Sequence, residues 1–133
     1  MKILIADDST LIRQSLKKLL FALNGSFQFY EAKNIKQTIE LFSRQNPDLI
    51  ILDLRLPDGN GIDALKTIKK QRPEQKVMIF SNYPDALNRQ KCKAAGADYF
   101  FDKSSDFEKL YAEINTLRGC YKKQDGREDQ NNQ

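Results

Sequence analysis

Asp7, Asp8 and Asp53 are the side chains of this sequence best placed to do chemistry, because each follows directly on a run of apolar residues: "KILIA" (2 to 6) before the first two, "LIIL" (49 to 52) before the third. Burying an unpaired carboxylate costs several kcal/mol, so an acid at the end of a buried strand is solvated, paired or bound to a metal. Ser81 closes a similar run, "KVMIF", and Asp102 and Lys103 close another, "DYFF". Carboxylates brought into one crevice repel unless a cation sits between them. The chain has no histidine, and Cys92 and Cys120 have neither CxxC nor other metal-type spacing, which argues for reduced thiols and against zinc or haem. With only oxygen donors on offer, the hard cation Mg²⁺ is the natural choice. A half-open Mg²⁺ also binds a phosphoryl oxygen, a lysine and a serine hydroxyl can hold the others, and an Asp oxygen is a competent nucleophile that gives an acyl phosphate.

That chemistry requires the acids to meet, and the surrounding pattern supplies the means. Apolar runs at 2 to 6, 27 to 32, 48 to 54, 76 to 81 and 97 to 103 read as strands. Between them, apolar residues recur at three- or four-residue steps: Leu11, Ile12, Leu16, Leu19, Leu20 and Leu23; Ile35, Ile39 and Phe42; Ile62, Leu65 and Ile68; and finally Phe107, Leu110, Tyr111, Ile114 and Leu117. Each set is one buried helix face. Strands joined through helices run parallel, and right-handed crossovers place helices on both faces, so the expected fold is an α/β/α sandwich around a five-stranded parallel sheet. In such a sheet ligands bind where the strands' carboxyl ends emerge, which is where the acids, Ser81 and Lys103 fall. The segment 83 to 96 has the poorest apolar stripe and is expected to be the least firmly anchored helix.

The 133 residues are one domain's worth of chain. Net charge is +4, with 22 basic residues spread among 18 acids rather than gathered into a stripe, which argues against nucleic acid as a partner. Neither a signal peptide nor an apolar run of about 18 residues is visible, so a cytoplasmic protein without membrane contact is expected. From Gly119 onward "GCYKKQDGREDQNNQ" is polar and reads as a disordered tail (119 to 133) after a domain of 1 to 118.

From residue 1 to about 118 these motifs resemble the receiver domain of two-component response regulators. "ADDS" is similar to the family's acidic pair, which implies Asp7 and Asp8 as magnesium acids. Asp53, four residues before Pro57 and eight before Gly61, resembles the phosphoacceptor. Ser81 stands where the family keeps a Ser or Thr that follows the phosphoryl group, Lys103 where it keeps an invariant lysine, and Phe100 at the switch aromatic three residues earlier. The backbone carbonyl of Arg55 would complete the metal's protein ligands. The resemblance implies a doubly wound, flavodoxin-like sheet of strand order 2-1-3-4-5. It also implies a single-domain response regulator that takes a phosphoryl group from a histidine kinase or phosphotransfer protein and later loses it to water. Its only chemistry would be at Asp53, and it would switch to a downstream protein, with phosphorylation-dependent homodimers possible, through the face of the fourth helix, fifth strand and fifth helix.

Departures carry their own expectations. Ser104 follows Lys103 where the family often has proline, and Phe100 has no hydroxyl to form the hydrogen bond a tyrosine would. Arg55 and Tyr83 are expected to shield the acyl phosphate from water. Asp7 alone would read as a helix N-cap, and Ser104 or Ser105 with Glu108 downstream reads as a helix start. Two other readings stay open: the receiver portion of a longer DNA-binding transcription regulator, and a phosphorylation-independent scaffold. A magnesium-dependent phosphohydrolase fits poorly, because Arg55 occupies the position where its second acid would stand.

Overall fold

The short apolar runs pair side by side into one sheet, and in the computed structural model, which describes residues 1–23 and 26–125, the helices between them cover both faces. In chain order the elements are β1 (Lys2–Ala6), α1 (Thr10–Phe21), β2 (Gln28–Ala32), α2 (Ile35–Gln45), β3 (Leu49–Leu52), β4 (Arg55–Leu56), β5 (Gly59–Asn60), α3 (Gly61–Gln71), β6 (Lys76–Ser81), α4 (Ala86–Ala94), β7 (Tyr99–Asp102) and α5 (Phe107–Asp125). The sheet is parallel throughout, in the order β2-β1-β3-β6-β7. With the two-residue strands β4 and β5 set aside as a separate antiparallel ribbon, this is the expected 2-1-3-4-5.

Alternation along the strands sends neighbouring side chains to opposite faces and so builds two cores. Leu4, Ile50, Leu52, Val77 and Ile79 pack with Phe42 of α2, Leu65 and Ile68 of α3, and Cys92 of α4. Ile3, Ile5, Ile51, Met78 and Phe80 pack with Leu16 and Leu20 of α1 and Leu110 and Ile114 of α5. Each such side chain, fully buried, contributes about 1.5–3 kcal/mol. The internal strands β1, β3 and β6 are buried almost throughout, whereas the edge strand β2 is largely half-exposed.

Side-chain caps set where the helices begin. Ser9, Asn34, Asn60 and Asp85 cap α1 to α4 by accepting a backbone N–H from the first turn. Ser9 therefore takes the capping role that Asp7 alone could have filled, and Asp7 Oδ1 instead accepts the Ser9 N–H at 2.9 Å. Helix α5 does not start at Ser104 or Ser105. Asp102 Oδ1 draws the Ser104 N–H and hydroxyl into a tight turn, and the Asp106 carbonyl accepts from Leu110, so the helix opens at Phe107.

The polar segment from Gly119 is corrected over its first part: α5 runs on through Asp125. One glycine in a helix costs only about 1 kcal/mol against alanine, and its neighbours Leu117, Arg118, Lys122 and Lys123 are good helix formers, so a polar stretch reads as tail by composition yet continues the helix by propensity. Residues 126–133 of the expected tail lie outside the described residues. Helix α4 is thinly anchored as expected, with Cys92 its one fully buried residue; Ala95 packs beside it, but Ala94 is exposed. No helix among the described residues is long and apolar enough to cross a membrane.

Candidate functional site

Strand register brings the three acids to one end of the sheet. Ala6 pairs with Leu52, so Asp7 and Asp53 are the next residues on two adjacent strands. The ladder continues one step past both: the Asp53 N–H donates to the Ala6 carbonyl at 3.0 Å and the Asp7 N–H to the Ala32 carbonyl at 3.0 Å. Ser81 pairs with Asp102 across β6 and β7, and the Lys103 N–H donates to the Ser81 carbonyl at 2.9 Å. Asp7, Asp53, Ser81 and Lys103 thus leave a backbone fixed by the sheet.

The Lys103 ammonium lies 2.6 Å from Asp7 Oδ2 and 2.9 Å from Asp53 Oδ2. Both acids are buried, at 3% exposure for Asp7 and 7% for Asp53, while Asp8 is open to solvent. Burial pushes the Asp53 carboxyl above the usual range, with the charge of Asp7 adding to it against the hydrogen bond from Lys103. Burial pulls Lys103 downward, but its hydrogen bonds to Asp7 and Asp53 outweigh this and leave it above its ordinary value. One ammonium thus serves two carboxylates: the lysine stays charged and the acids compete for it.

One oxygen each of Asp7, Asp8 and Asp53 lies within 4.8 Å of the others. This all-oxygen donor set, two members buried and one open to solvent, fits a hard divalent cation that keeps several waters. Arg55 stands on the ribbon two residues past Asp53, and its backbone N–H contributes a small downward pull on the Asp53 carboxyl against the effect of burial. Its guanidinium stacks on the Tyr83 ring, 4.0 Å from Cζ to the centroid. Ser81 is completely buried, and its hydroxyl oxygen accepts the Tyr83 N–H at 3.0 Å. Phe100, on β7, is half-buried against the α2, α3 and α4 side of the core.

Gly61 explains why a glycine stands eight residues after Asp53. A Cβ there would lie 2.2 Å from the Asp53 carbonyl oxygen and 2.9 Å from Leu54 Cα, both backbone atoms. The first turn of α3 thereby closes directly on the strand end, with the Gly61 N–H donating to the Leu54 carbonyl at 2.7 Å.

Three contributors escaped the sequence reading. Arg13, only 5% exposed, donates through one terminal nitrogen to the Asp7 carbonyl at 2.7 Å and pairs through Nε with Glu31 at 2.9 Å. Its position three residues before Leu16 and seven before Leu20, on the buried stripe of α1, was the available signal. Asp58, at the ribbon's turn, accepts from the Ile35 N–H at 2.7 Å and the Lys36 N–H at 3.1 Å, tying the loop after Asp53 to the start of α2. Arg89 of α4 lies over Phe100; nothing in the spacing of exposed charges on α4 set it apart.

A model of the response regulator receiver domain matches residues 3–115. The chain belongs to the receiver domain family of two-component response regulators. This receiver is 33% identical over 114 residues to a cyclic di-GMP phosphodiesterase of Thermotoga maritima, covering 86% of this chain and 30% of that protein. It is 32% identical over 118 residues to the sensory transduction protein LytR of Staphylococcus haemolyticus, covering 89% and 45%. Over 125 residues it is 33% identical to the transcriptional regulatory protein LytR of Staphylococcus aureus, covering 94% and 50%. The chain thus spans half or less of the length of these curated relatives. Among solved structures, a CheY-like receiver domain protein of Methanospirillum hungatei superposes with a TM-score of 0.81 at 26% identity, covering 92% of this chain and 97% of that one. A two-component response regulator of Clostridium difficile gives 0.81 at 26%, covering 89% and 96%.

Proposed function

We propose that this receiver accepts a phosphoryl group on Asp53 from a histidine kinase or phosphotransfer protein and, so modified, changes protein partners. The observation that carries the reading is the Lys103 ammonium held between Asp7 and Asp53 at 2.6 and 2.9 Å, a cation already at the point where phosphoryl charge would arrive. An Asp53 carboxylate oxygen attacks phosphorus, the P–N bond to the donor imidazole breaks, and the electron pair returns to that nitrogen. Asp7, Asp8, Asp53 and the carbonyl of Arg55 would hold Mg²⁺, which when bound supplies charge neutralisation for the phosphoryl oxygens. Lys103 turns from the two carboxylates to the acyl phosphate. The Ser81 hydroxyl gives up its place under the Tyr83 N–H to donate to a phosphoryl oxygen, and Phe100 fills the space it leaves. The α4, β7 and α5 face is the surface whose partners change, with a homodimer among the outcomes, and α4 is the element anchored weakly enough to shift.

Hydrolysis of the acyl phosphate ends the signal, and no turnover of a small substrate is proposed. The stack of Arg55 on Tyr83 supports their role as a shield over Asp53. Tyr83→Ala is expected to shorten the acyl phosphate lifetime several-fold, read from loss of the phosphoryl mass with time after removal of donor; an unchanged decay would remove the tyrosine from this role. A cytoplasmic site of action follows from the phosphodonor class. The length and names of the LytR relatives favour a second reading, in which the receiver controls a DNA-binding output as part of a longer regulator.

Incubation with Mg²⁺ and acetyl phosphate, followed by intact mass spectrometry, tests the reading. One phosphoryl mass is expected on the wild type, and none on Asp53→Asn or after addition of EDTA. Absence of the adduct together with absence of Mg²⁺ binding would favour a phosphorylation-independent scaffold instead.

A further inference from the structure

The Phe100 ring has no hydroxyl and makes no hydrogen bond of its own. A charged side chain from another element reaches it instead: Arg89 of α4 lies with Cζ 4.6 Å from the Phe100 ring centroid. The same guanidinium donates through Nε to the Pro84 carbonyl at 2.9 Å, in the loop that joins β6 to α4. That loop begins at Ser81, whose hydroxyl oxygen holds the Tyr83 N–H at 3.0 Å. Its other end is drawn to α4, because Asn88 donates through its side-chain amide to the Tyr83 carbonyl at 3.2 Å while Asp85 caps the helix by accepting the Asn88 N–H at 2.7 Å. An unbroken set of contacts therefore runs from the Ser81 hydroxyl through residues 83 to 85 to Arg89, and across to the ring.

We propose that Arg89 is a positioning residue, a clasp that holds the Phe100 ring in its present place and lets go when Ser81 moves toward a phosphoryl group on Asp53. The proposal rests on the receiver reading above and names the regulation of that same site. Two weak contacts suit the task. A cation over an aromatic face at a partly exposed site holds the ring firmly enough to bias its position but not to lock it. A phenyl ring without a hydroxyl attracts the guanidinium through its face, so beside its packing against the core the cation is the contact that orients it. When the Ser81 hydroxyl turns to the phosphoryl oxygen, the Tyr83 N–H loses its acceptor, the loop and the Pro84 carbonyl shift, and the guanidinium loses the anchor that keeps it over the ring. Among the described residues Arg89 forms no ion pair: the carboxyl of Asp102, at the end of β7, is lowered first by the hydrogen bonds from Ser104 that hold it, and to a smaller extent by the charge of Arg89.

The test uses the full chain, with beryllofluoride plus Mg²⁺ as the phosphoryl mimic and the ring resonances of Phe100 as readout, assigned by Phe100→Leu. In Arg89→Gln, which keeps a long polar side chain without the cation, the Phe100 resonances of the free protein are expected to lie part of the way toward those of the beryllofluoride-saturated wild type. The beryllofluoride concentration that half-completes the change should fall about 2- to 5-fold. Arg89→Lys, which keeps the charge but not the planar face, should fall between the two. Phe100 resonances in Arg89→Gln identical to wild type, free and saturated, would overturn the clasp. A wild type that does not respond to beryllofluoride and Mg²⁺ would instead count against the receiver reading, and the free-protein spectra of wild type and Arg89→Gln would then decide the clasp by themselves.

Discussion

Around Asp53 the buried charged groups are held in series. Lys103 is gripped by two carboxylates, Asp7 by the Ser9 N–H and by Arg13 through its carbonyl, and Arg13 in turn by Glu31. Glu31 is the outermost member, and its carboxyl lies below the usual range because Lys17 hydrogen-bonds to it, against a smaller opposing effect of burial and with help from Arg13. A carboxyl depressed on folding adds stability above its unfolded value of 4.5, and that stability is lost as pH falls through the lower folded value. Glu31→Gln is therefore expected to melt a few degrees below wild type at pH 7, with the gap closing in melts carried down through pH 4 toward pH 3; a gap independent of pH would contradict the assignment. At this scale the sequence revealed the acids, Ser81 and Lys103, because charged residues at the ends of apolar runs are conspicuous. It hid Arg13, because a lone arginine on a helix reads as solvated until its carbonyl and carboxylate partners, 6 residues back and 18 ahead, are known to be adjacent.

The elements that carry these residues were legible for the same reason that they are stable: short apolar runs bounded by turn residues, alternating with helical periods, leave few topologies. Two features at this scale were not. The ribbon β4–β5 is only two residues on each side, too short for any period to show. Helix α5 outlasts its apolar stripe, so the pattern ended before the helix did. Gly61 was visible as a spacing, and its physical cause is the contact between the start of α3 and the end of β3. Gly61→Ala forces a Cβ against two backbone positions that cannot swing aside, and is expected to cost about 1–3 kcal/mol in urea unfolding, as overpacking does elsewhere. Because the atom it meets is Asp53's own carbonyl oxygen, the same variant should also slow acetyl phosphate labelling; normal stability and labelling together would show that the strand end yields.

For the molecule as a whole, the two cores differ in what closes them. One is sealed by α1 and the long α5, the other by α2, α3 and the thinly anchored α4, whose fully buried residue is the thiol of Cys92. Burial pushes that thiol up to about 11, whereas Cys120, near the far end of the sheet from Asp53, is exposed. Iodoacetamide at pH 8 is expected to add one group per chain, at Cys120, and to reach Cys92 only after denaturant opens the core; rapid labelling of both in the native protein would mean that α4 detaches far more readily than its packing implies.

The grip of Asp58 on the first turn of α2 separates the mouth of the sheet into unequal halves. On one side, the turns carrying Asp7, Asp8 and Asp53 are tied to helices and to each other by hydrogen bonds, so under the proposed function a phosphoryl group would meet a stationary jaw. On the other, the side chains of Ser81 and Phe100, on β6 and β7, are linked by single contacts through the 82–85 loop and Arg89 of α4, a helix with one deep anchor. Under the proposed function, a displacement at the mouth would pass one way, toward α4 and β7, as in a vice with a single travelling jaw, and a partner reading it would be met on the side that moves.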